Sequence, residues 1–297
     1  GEVTYIMELR VLKYFIVVAN ELNITRAANI LHITQPTLSR QIHDLEDELG
    51  VKLFVRKNGA IILTEEGIYL KNKAIEIVDL ANLTKINISS KKKELEGVLS
   101  IGIAECQGTS ELLPRYIKIF NERYPKVKIN IYSNIADDVK ENIDKGLLDA
   151  AIVLEPADIG KYESYRLPIV EKWGLIMAKN DPLANEQYVT KEHLYNSSIL
   201  YPQRLEIQIL FENWIEKDID KIHIQGYFNT TSSVSLMIEN GLGRAFSISG
   251  AVSSQHSNLC FRPVYPYLNT YSTLIWKKGG MMSNALVEFI NIVQHYN

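Results

Sequence analysis

The chain lacks the features that mark membrane, exported and metal-binding proteins. Its longest unbroken apolar runs, such as residues 15–19 and 150–154, are short, whereas a membrane-spanning helix needs about 20 residues. No basic stretch followed by an apolar segment stands near the N-terminus, so we expect no secretory signal. The two cysteines, Cys106 and Cys260, are too few for a disulfide framework, and reduced thiols in a cytoplasm are expected. The six histidines show no metal-ligand spacing, so no metal is predicted.

Apolar and charged residues are present in ordinary proportions. Of 297 residues, 46% are hydrophobic and 23% are charged, which is typical of a globular protein and excludes a disordered or collagen-like chain. At roughly 150 residues per domain, the length predicts two domains. The net charge of −3 excludes a wholly basic nucleic-acid coat protein, but it is compatible with a local DNA-binding surface.

Two regions of the chain differ in their hydrophobic pattern. Residues 8 to about 90 have helical spacing apart from one short hairpin, and from Gly97 onward strand-like apolar runs alternate with amphipathic helices. The polar, charged stretch 89–96 between them is predicted to be a hinge. Residues 1–6 precede the first helical pattern, and we treat them as upstream residues outside the fold.

The first region predicts three helices followed by a β-hairpin. Thr25 is predicted to cap the second helix, and Pro36 stands in the first turn of the third, where its missing N–H is tolerated. Asn58 and Gly59 between two apolar runs are a strong hairpin signal.

The third helix has an apolar face and a polar face that carries no carboxylate. Its inward positions are Leu38, Ile42, Leu45 and Leu49, and its outward positions are Pro36, Ser39, Arg40 and His43. No acid occurs between residues 22 and 43, and the hairpin adds Lys52, Arg56 and Lys57. Such a helix beside a basic hairpin is typical of an all-α winged helix-turn-helix that binds DNA. A small helical subdomain whose polar face meets only water is the alternative.

An ordered set of residues over about sixty positions resembles the signature of LysR-type transcriptional regulators. The set comprises Ala27, Ala28, Leu31, residues 34–42, Leu45, Glu46, Leu49, Gly50, Leu53, Phe54, Arg56 and residues 63–67. The resemblance implies that recognition-helix positions fall on Gln35, Pro36, Thr37, Ser39 and Arg40, and that Arg56 is the arginine of the wing.

The chemistry of these side chains suits DNA. Arg40 can make a bidentate contact to guanine or bind a phosphate, and Gln35 can bind an adenine edge. The predicted DNA-binding residues are Thr25, Arg26, Gln35, Pro36, Thr37, Ser39, Arg40, His43, Arg56 and Lys57.

A long helix is predicted from Thr64 to about Ile88. Its apolar residues follow a two-position heptad pattern that predicts a dimerisation seam. The seam comprises Leu70, Ala74, Ile77, Ala81, Thr84 and Ile88. Packing of this helix on its own domain is the alternative. A dimer would present two recognition helices about one DNA turn apart, so we predict double-stranded DNA with inverted-repeat character as the partner, bound by a homodimer or homotetramer.

The remaining two hundred residues predict an α/β domain of two lobes. Val98–Ala104, the alternating segment 127–131 and residues 150–154 read as strands separated by helices, with Ser110 predicted to cap the first helix. This βαβαβ order implies a parallel sheet covered by helices. A similar second set follows, with strands predicted at 173–178, 198–201, 222–228, 244–249 and 271–276, and the chain is predicted to cross between lobes at 165–167.

Three segments of this domain, 146–152, 181–184 and 239–243, match recurrent motifs of the periplasmic-binding-protein-like sensor of the same family. The domains predicted on this basis are a DNA-binding domain 7–64, a linker helix 65–90, a hinge 91–96 and an effector-binding domain 97–297. Within the last, lobe I takes 97–165 and 268–297, and lobe II takes 166–267.

A ligand in such a fold binds at the carboxyl ends of strands, where helix N-termini favour anions. We therefore expect a small-molecule effector, such as a carboxylate or another anion, and no other cofactor. The predicted effector-binding residues are Gln107, Gly108, Thr109, Ser110, Ser133, Asn134, Tyr201, Gln203, Arg204, Asn229, Thr230 and Thr231. Ordinary helix capping is the alternative role for the Ser and Thr residues among them.

Three other functions are less compatible with the sequence. An enzyme would need a nucleophile elbow or a phosphate loop, and the glycines at 241 and 243 precede a strand, the reverse of a dinucleotide motif. A redox sensor using Cys106 has no neighbouring resolving cysteine. A free solute-binding protein would not carry the DNA-binding region. If the regulator is an activator, RNA polymerase is an expected partner.

Overall fold

The computed structural model describes residues 7–57, 60–89, 95–195, 197–216, 218–252 and 257–296. Residues 1–6, the hairpin turn at Asn58 and Gly59, and most of the predicted hinge lie outside the described residues. The chain divides into two compact units, 1–88 and 89–297. No helix within the described residues is both long and apolar enough to cross a bilayer.

The first unit is a winged helix-turn-helix followed by a long helix. Its elements are α1 (Leu9–Glu21), α2 (Ile24–Ile30), α3 (Gln35–Leu49), β1 (Phe54–Lys57), β2 (Ala60–Leu63) and α4 (Glu65–Ser89). Strands β1 and β2 pair in antiparallel register. Gly50 ends α3 in the left-handed conformation, at φ +68°, which glycine adopts without a steric penalty.

One apolar core joins all four helices of this unit. Leu12, Phe15 and Leu38 are fully buried within it, and α4 contributes Leu70, Ala74 and Val78. Two residues of the predicted dimer seam, Leu70 and Ala74, are therefore packed inside their own unit, and the prediction that they form a seam between chains is wrong. The reason is that the heptad pattern marks an apolar stripe but does not say which surface covers it.

The N-terminus of α2 corrects a second prediction. Its N-cap is Asn23, whose side chain accepts a hydrogen bond from the backbone N–H of Arg26, and Thr25 lies inside the first turn. Asn and Thr are both good N-cap residues, and the two positions differ by only two residues in sequence.

The second unit is the predicted α/β domain. Its strands are β3 (Gly97–Ile103), β4 (Val127–Ser133), β5 (Ala150–Leu154), β6 (Tyr162–Ala178), β7 (Ser198–Pro202), β8 (His223–Phe228), β9 (Arg244–Ile248), β10 (Leu259–Pro263) and β11 (Asn269–Lys277). Its helices are α5 (Leu113–Arg123), α6 (Ala136–Asp144), α7 (Lys191–Leu194), α8 (Leu205–Ile215), α9 (Thr231–Glu239) and α10 (Asn284–His295). The strand order is β4-β3-β5-β11-β6-β9-β7-β8, with β10 beside β6.

Each lobe contains three parallel strands. In lobe I, β3 lies between β4 and β5, which confirms the predicted βαβαβ arrangement. In lobe II, β7 lies between β8 and β9. The parallel strands within a lobe end at the same edge of its sheet, and that edge positions the loops described below.

The connection between the lobes is continuous strand. The crossing predicted at 165–167 and the strand predicted at 173–178 belong to one strand, β6, which pairs with β11 in lobe I and with β9 and β10 in lobe II. The β6–β11 register shifts between Tyr271 and Thr273, opposite Pro168. Proline has no N–H for a ladder and is tolerated at such a bulge, so this proline does not interrupt the strand.

Candidate DNA-binding surface and effector cleft

Nine of the ten predicted DNA-binding residues are exposed, and Ser39 is half-buried. Arg40 has 83% of its side chain exposed, and its nearest acid, Asp44, is 3.9 Å away. His43 lies 3.3 Å from Asp47. The guanidinium of Arg40 is therefore held weakly, and it can exchange its exposed carboxylate neighbour for a base or phosphate.

The structure brings α3 and the wing to one groove. A cavity of about 320 Å³ lies between them, and Ser39, His43 and Arg56 line it together with Lys52. Recognition-helix and wing residues that are far apart in sequence thus share one surface. Thr34 and Thr37 are joined by a hydroxyl–hydroxyl hydrogen bond of 2.7 Å at the start of α3.

The sequence reasoning did not assign a role to Glu46, which holds this groove together. Glu46 is 8% exposed. Its Oε1 accepts hydrogen bonds from the N–H groups of Leu53 (2.8 Å) and Phe54 (3.2 Å), and its Oε2 accepts one from Lys52 Nζ (2.8 Å). Burial opposes ionisation, but the hydrogen bonds outweigh it and hold the pKa of Glu46 below its usual value.

Residues 52–54, which bond to Glu46 on one side, are held on the other side by the start of α4. Thr64 Oγ1 donates to the carbonyl oxygen of Lys52 and accepts from the N–H of Gly67. A Cβ on Gly67 would lie 2.2 Å from the carbonyl oxygen of Leu53, so this close approach requires glycine. Residues 52–54 are therefore clamped between α3 and α4, which fixes the base of the wing.

In the second unit, the predicted effector residues fall into two groups. Asn134, Arg204, Asn229, Thr230 and Thr231 line one cavity of about 80 Å³ between the lobes. The cavity wall also includes residues that sequence reasoning did not select, namely Ala104, Glu105, Ile135, Ala136, Leu154, Trp173, Pro202, Ile207, Phe228, Ser247 and Ile248. Gln203 lines an adjoining cavity of about 280 Å³, and Arg204 contributes to both.

The other predicted effector residues do not line either cavity. Ser133 is the last residue of β4, and Tyr201 is buried, with its hydroxyl donating to the carbonyl oxygen of Gln208. Residues 107–110 form the start of a wide helical turn, Gly108–Leu112, that leads into α5. Ser110 lies inside this turn, so the prediction that it caps the helix is wrong.

A carboxylate caps that turn instead. Glu171, which is fully buried on β6, accepts hydrogen bonds from the N–H groups of Gln107 and Gly108, each at 3.0 Å. Burial raises the pKa of Glu171, and the two backbone hydrogen bonds oppose that rise. A Cβ on Gly108 would lie 2.2 Å from Ser272 Oγ, so the turn packs tightly on β11.

The lobes also bond to each other across the cleft. Glu105, in the loop after β3, accepts hydrogen bonds from the N–H groups of Thr231 and Ser232 at the start of α9. Arg204 donates to the carbonyl oxygens of Leu154 and Pro156 at the end of β5. The sequence predicted that two helix N-termini bind an anion, that of α9 and that of the turn before α5. In the structure Glu105 occupies the first and Glu171 the second.

Cys106 has the properties of a structural thiol. It is 1% exposed, and its Sγ lies 3.3 Å from Thr109 Oγ1. Burial, reinforced by the nearby Glu171, raises its pKa to about 12. Because the thiolate is the reactive form, this environment argues against the redox alternative.

Within the described residues, no group of three or more His, Cys, Asp or Glu could hold a metal ion.

Comparison with known proteins identifies the family. A model of the bacterial regulatory helix-turn-helix protein, lysR family, matches residues 9–68, and a model of the LysR substrate binding domain matches residues 92–297. This chain belongs to the LysR family of transcriptional regulators. The resemblance seen in the sequence is confirmed, and the function class is a DNA-binding regulator with an effector-binding domain.

Similar transcriptional regulators match most of the chain. The Hca operon transcriptional activator HcaR of Escherichia coli is 30% identical over 296 residues, covering 97% of each protein. A probable RuBisCO transcriptional regulator of Phaeodactylum tricornutum is 31% identical over 261 residues, covering 84% of this chain and 82% of its own. The crystal structure of CbnR, a LysR family transcriptional regulator, has a TM-score of 0.79 at 19% identity and covers 97% of this chain and 98% of its own, which shows the shared fold.

Proposed function

We propose that this LysR-family chain is a cytoplasmic, sequence-specific regulator that reads inverted-repeat DNA as a homodimer. The observation that carries the proposal is the groove where Ser39, His43 and Arg56 converge beside the exposed Arg40. The N-terminal half of α3, which carries no acid, and a basic wing on one surface are complementary to a base edge and its flanking phosphates. The similar regulator CbnR has been determined in a complex with its target DNA.

The dimer is supported by apolar residues that α4 leaves exposed. Tyr69, Ile77 and Leu80 are 67%, 38% and 41% exposed. Ile77 belongs to the predicted seam, as do Ala81, which is half-buried, and Thr84, which is exposed. The side chain of Ile88 lies outside the described residues. A homotetramer built from two such dimers, and contact with RNA polymerase if the protein activates transcription, are parts of the same proposal.

The cleft between the lobes is the proposed site of a small-molecule effector. Asn134, Arg204 and Asn229 approach it from three different loops, as expected for a ligand site at the carboxyl ends of strands. An effector shifts regulation only by binding two arrangements of the protein unequally. We propose no catalytic role for the chain.

Genomic DNA capture tests the DNA-binding proposal. Sheared genomic DNA is bound to the purified full chain and sequenced, with Arg40→Ala as the test variant. The matched control is Arg115→Ala, which removes an exposed arginine from α5 in the second unit. We expect enriched inverted-repeat sites that Arg40→Ala loses and Arg115→Ala retains. Salt-sensitive binding without any enriched sequence would contradict a specific regulator.

A further inference from the structure

The carboxylate of Glu105 occupies the position that an anionic effector would need. It lies in lobe I and accepts hydrogen bonds from two N–H groups of α9 in lobe II, with the Ser232 N to Oε1 distance at 3.0 Å. Thr230, the N-cap residue of α9, makes no side-chain cap. Glu105 therefore supplies the capping that the helix's own residues do not, through charge-assisted bonds favoured by the helix dipole.

Arg204 makes the reciprocal bond across the same cavity. It belongs to lobe II, and its two terminal nitrogens donate to the carbonyl oxygens of Leu154 and Pro156 in lobe I. Its Nε lies 3.6 Å from Glu206 in its own lobe. The terminal groups of this arginine, which sequence reasoning offered to an anion, are therefore already bonded to backbone.

The interior beneath these bonds is narrow, and several of its polar groups bond to one another, although the buried Nε of Arg204 has no hydrogen-bond partner. The hydroxyls of Thr231 and Ser247 bond to each other at 2.7 Å, and Asn134 Nδ2 donates to Tyr132 OH at 3.2 Å. The cavity of about 80 Å³ is well below the roughly 300 Å³ of the smaller drug-sized ligand sites. The lobes are thus joined by the chain's own groups across this cavity, beside the adjoining cavity of about 280 Å³.

We propose that Glu105 is a built-in ligand of the cleft, which bridges the lobes and determines which effectors the cleft accepts. The proposal rests on the cleft being the effector site. A tethered carboxylate acts at an effective concentration on the order of millimolar, so a free carboxylate of weak affinity does not displace it. The effector class that fits is a molecule that brings hydrogen-bond donors to Glu105, because a carboxylate bound by two N–H groups retains acceptor capacity.

Chemical rescue of Glu105→Ala tests this role. The probe is sodium acetate at 50 mM, with sodium chloride at equal ionic strength as its control, and the full chain is used without DNA. Cysteines replace the exposed Glu141 on α6 and Glu212 on α8 and carry nitroxide labels, and Cys260→Ser removes the partly exposed native thiol. Pulsed electron spin resonance then reports the distance between the lobes. Thermal unfolding is followed in parallel on unlabelled protein.

We expect Glu105→Ala to lengthen and broaden the distance distribution and to lower the Tm, and acetate to reverse both changes. The wild type should not respond, because its own carboxylate fills the site, and acetate should bind the variant at least about tenfold more tightly than the wild type. Glu105→Gln, which retains an oxygen acceptor without the charge, should give an intermediate opening. The matched control is Glu111→Ala, since this exposed carboxylate accepts a hydrogen bond from the Gln107 side chain of its own lobe; it should neither open the cleft nor respond to acetate.

Wild-type distances in Glu105→Ala, or a variant that acetate leaves open, would overturn the proposal. An equal response of the wild type to acetate would also overturn it. These readouts need neither an identified effector nor an operator, so failure of the DNA-binding proposal would appear in the capture experiment and not here.

Discussion

Glu46 Oε1 accepts the backbone N–H of Leu53 at 2.8 Å, and this bond joins the recognition helix to the base of the wing. The acceptor is on α3 and the donor begins the hairpin segment, so the contact fixes the relative orientation of two DNA-binding elements. Thr64 and Gly67 hold the opposite side of the same segment against α4. The geometry of the DNA-binding surface therefore depends on Glu46, a residue that is not itself among the predicted DNA-binding residues.

The substitution Glu46→Ala should destabilise the first unit by about 2–4 kcal/mol, because it leaves the N–H groups of Leu53 and Phe54 at the wing base without their acceptor. Urea unfolding followed by circular dichroism measures the loss. Asp47→Ala is the matched control, since Asp47 is exposed on the same helix and should change stability by about 0.5 kcal/mol or less. Equal stability of the two variants would contradict a clamp.

Glu46 also predicts a pH dependence. The pKa of its carboxyl is lowered in the folded state, so its stabilising effect is present above the unfolded pKa and is lost as pH falls through the folded pKa. We expect the wild type to lose more stability than Glu46→Gln when the pH is lowered from 7 to below about 4. Parallel loss in both proteins, measured by urea unfolding at each pH, would refute this assignment.

Arg40→Lys should relax DNA specificity more than it weakens overall binding. Lysine retains the charge but cannot make the bidentate contact to guanine, which is worth about 1–3 kcal/mol of discrimination. Competition between an enriched site and a duplex with one guanine replaced measures this discrimination. Arg40 would instead contact a phosphate if Arg40→Lys discriminated between the two duplexes as well as the wild type does, and if the affinity of Arg40→Ala for DNA depended less steeply on salt concentration.

An aspartate should disrupt the proposed dimer on one side of α4 and not on the other. Ile77→Asp should convert the dimer to monomer at micromolar concentration, because it places a carboxylate in the proposed apolar interface. Ile68→Asp is the control, since Ile68 is 53% exposed and lies nine residues away, on the opposite side of the helix. Analytical ultracentrifugation of both variants distinguishes them, and two variants that both remain dimeric would place the interface elsewhere.

Cys106 should react slowly with thiol reagents. Its pKa of about 12 and its burial leave little thiolate near neutral pH, so iodoacetamide should modify the half-buried Cys260 first. Mass spectrometry before and after unfolding gives the two rates. We expect Cys106→Ser to retain the DNA response, and loss of that response in the variant would restore the redox alternative.

Sequence alone was sufficient for most local features, although the caps predicted at Thr25 and Ser110 were wrong. Hydrophobic period, an early Pro36, Gly50 at the end of α3 and alternating strands and helices predict the elements, because backbone preferences and side-chain period act over a few residues. The ordered motif over residues 27–67 indicated the family. The two faces of α3 correctly predicted the buried Leu38, Ile42 and Leu45, whereas Leu49, which was predicted to face inward, is exposed. The broad lobe architecture followed from the βαβαβ order.

Only the tertiary structure decided which partner each group takes. Leu70 and Ala74 had the spacing of a dimer seam, but the apolar core of their own unit buries them. The N-termini of α9 and of the turn before α5 had the chemistry of anion sites, but Glu105 and Glu171 reach them first. The sequence determined which residues can form hydrogen bonds or pack in a core, and in which helix or strand each one lies. Hydrogen bonds and burial between distant segments depend on how close the fold brings those segments. No local sequence pattern encodes that distance.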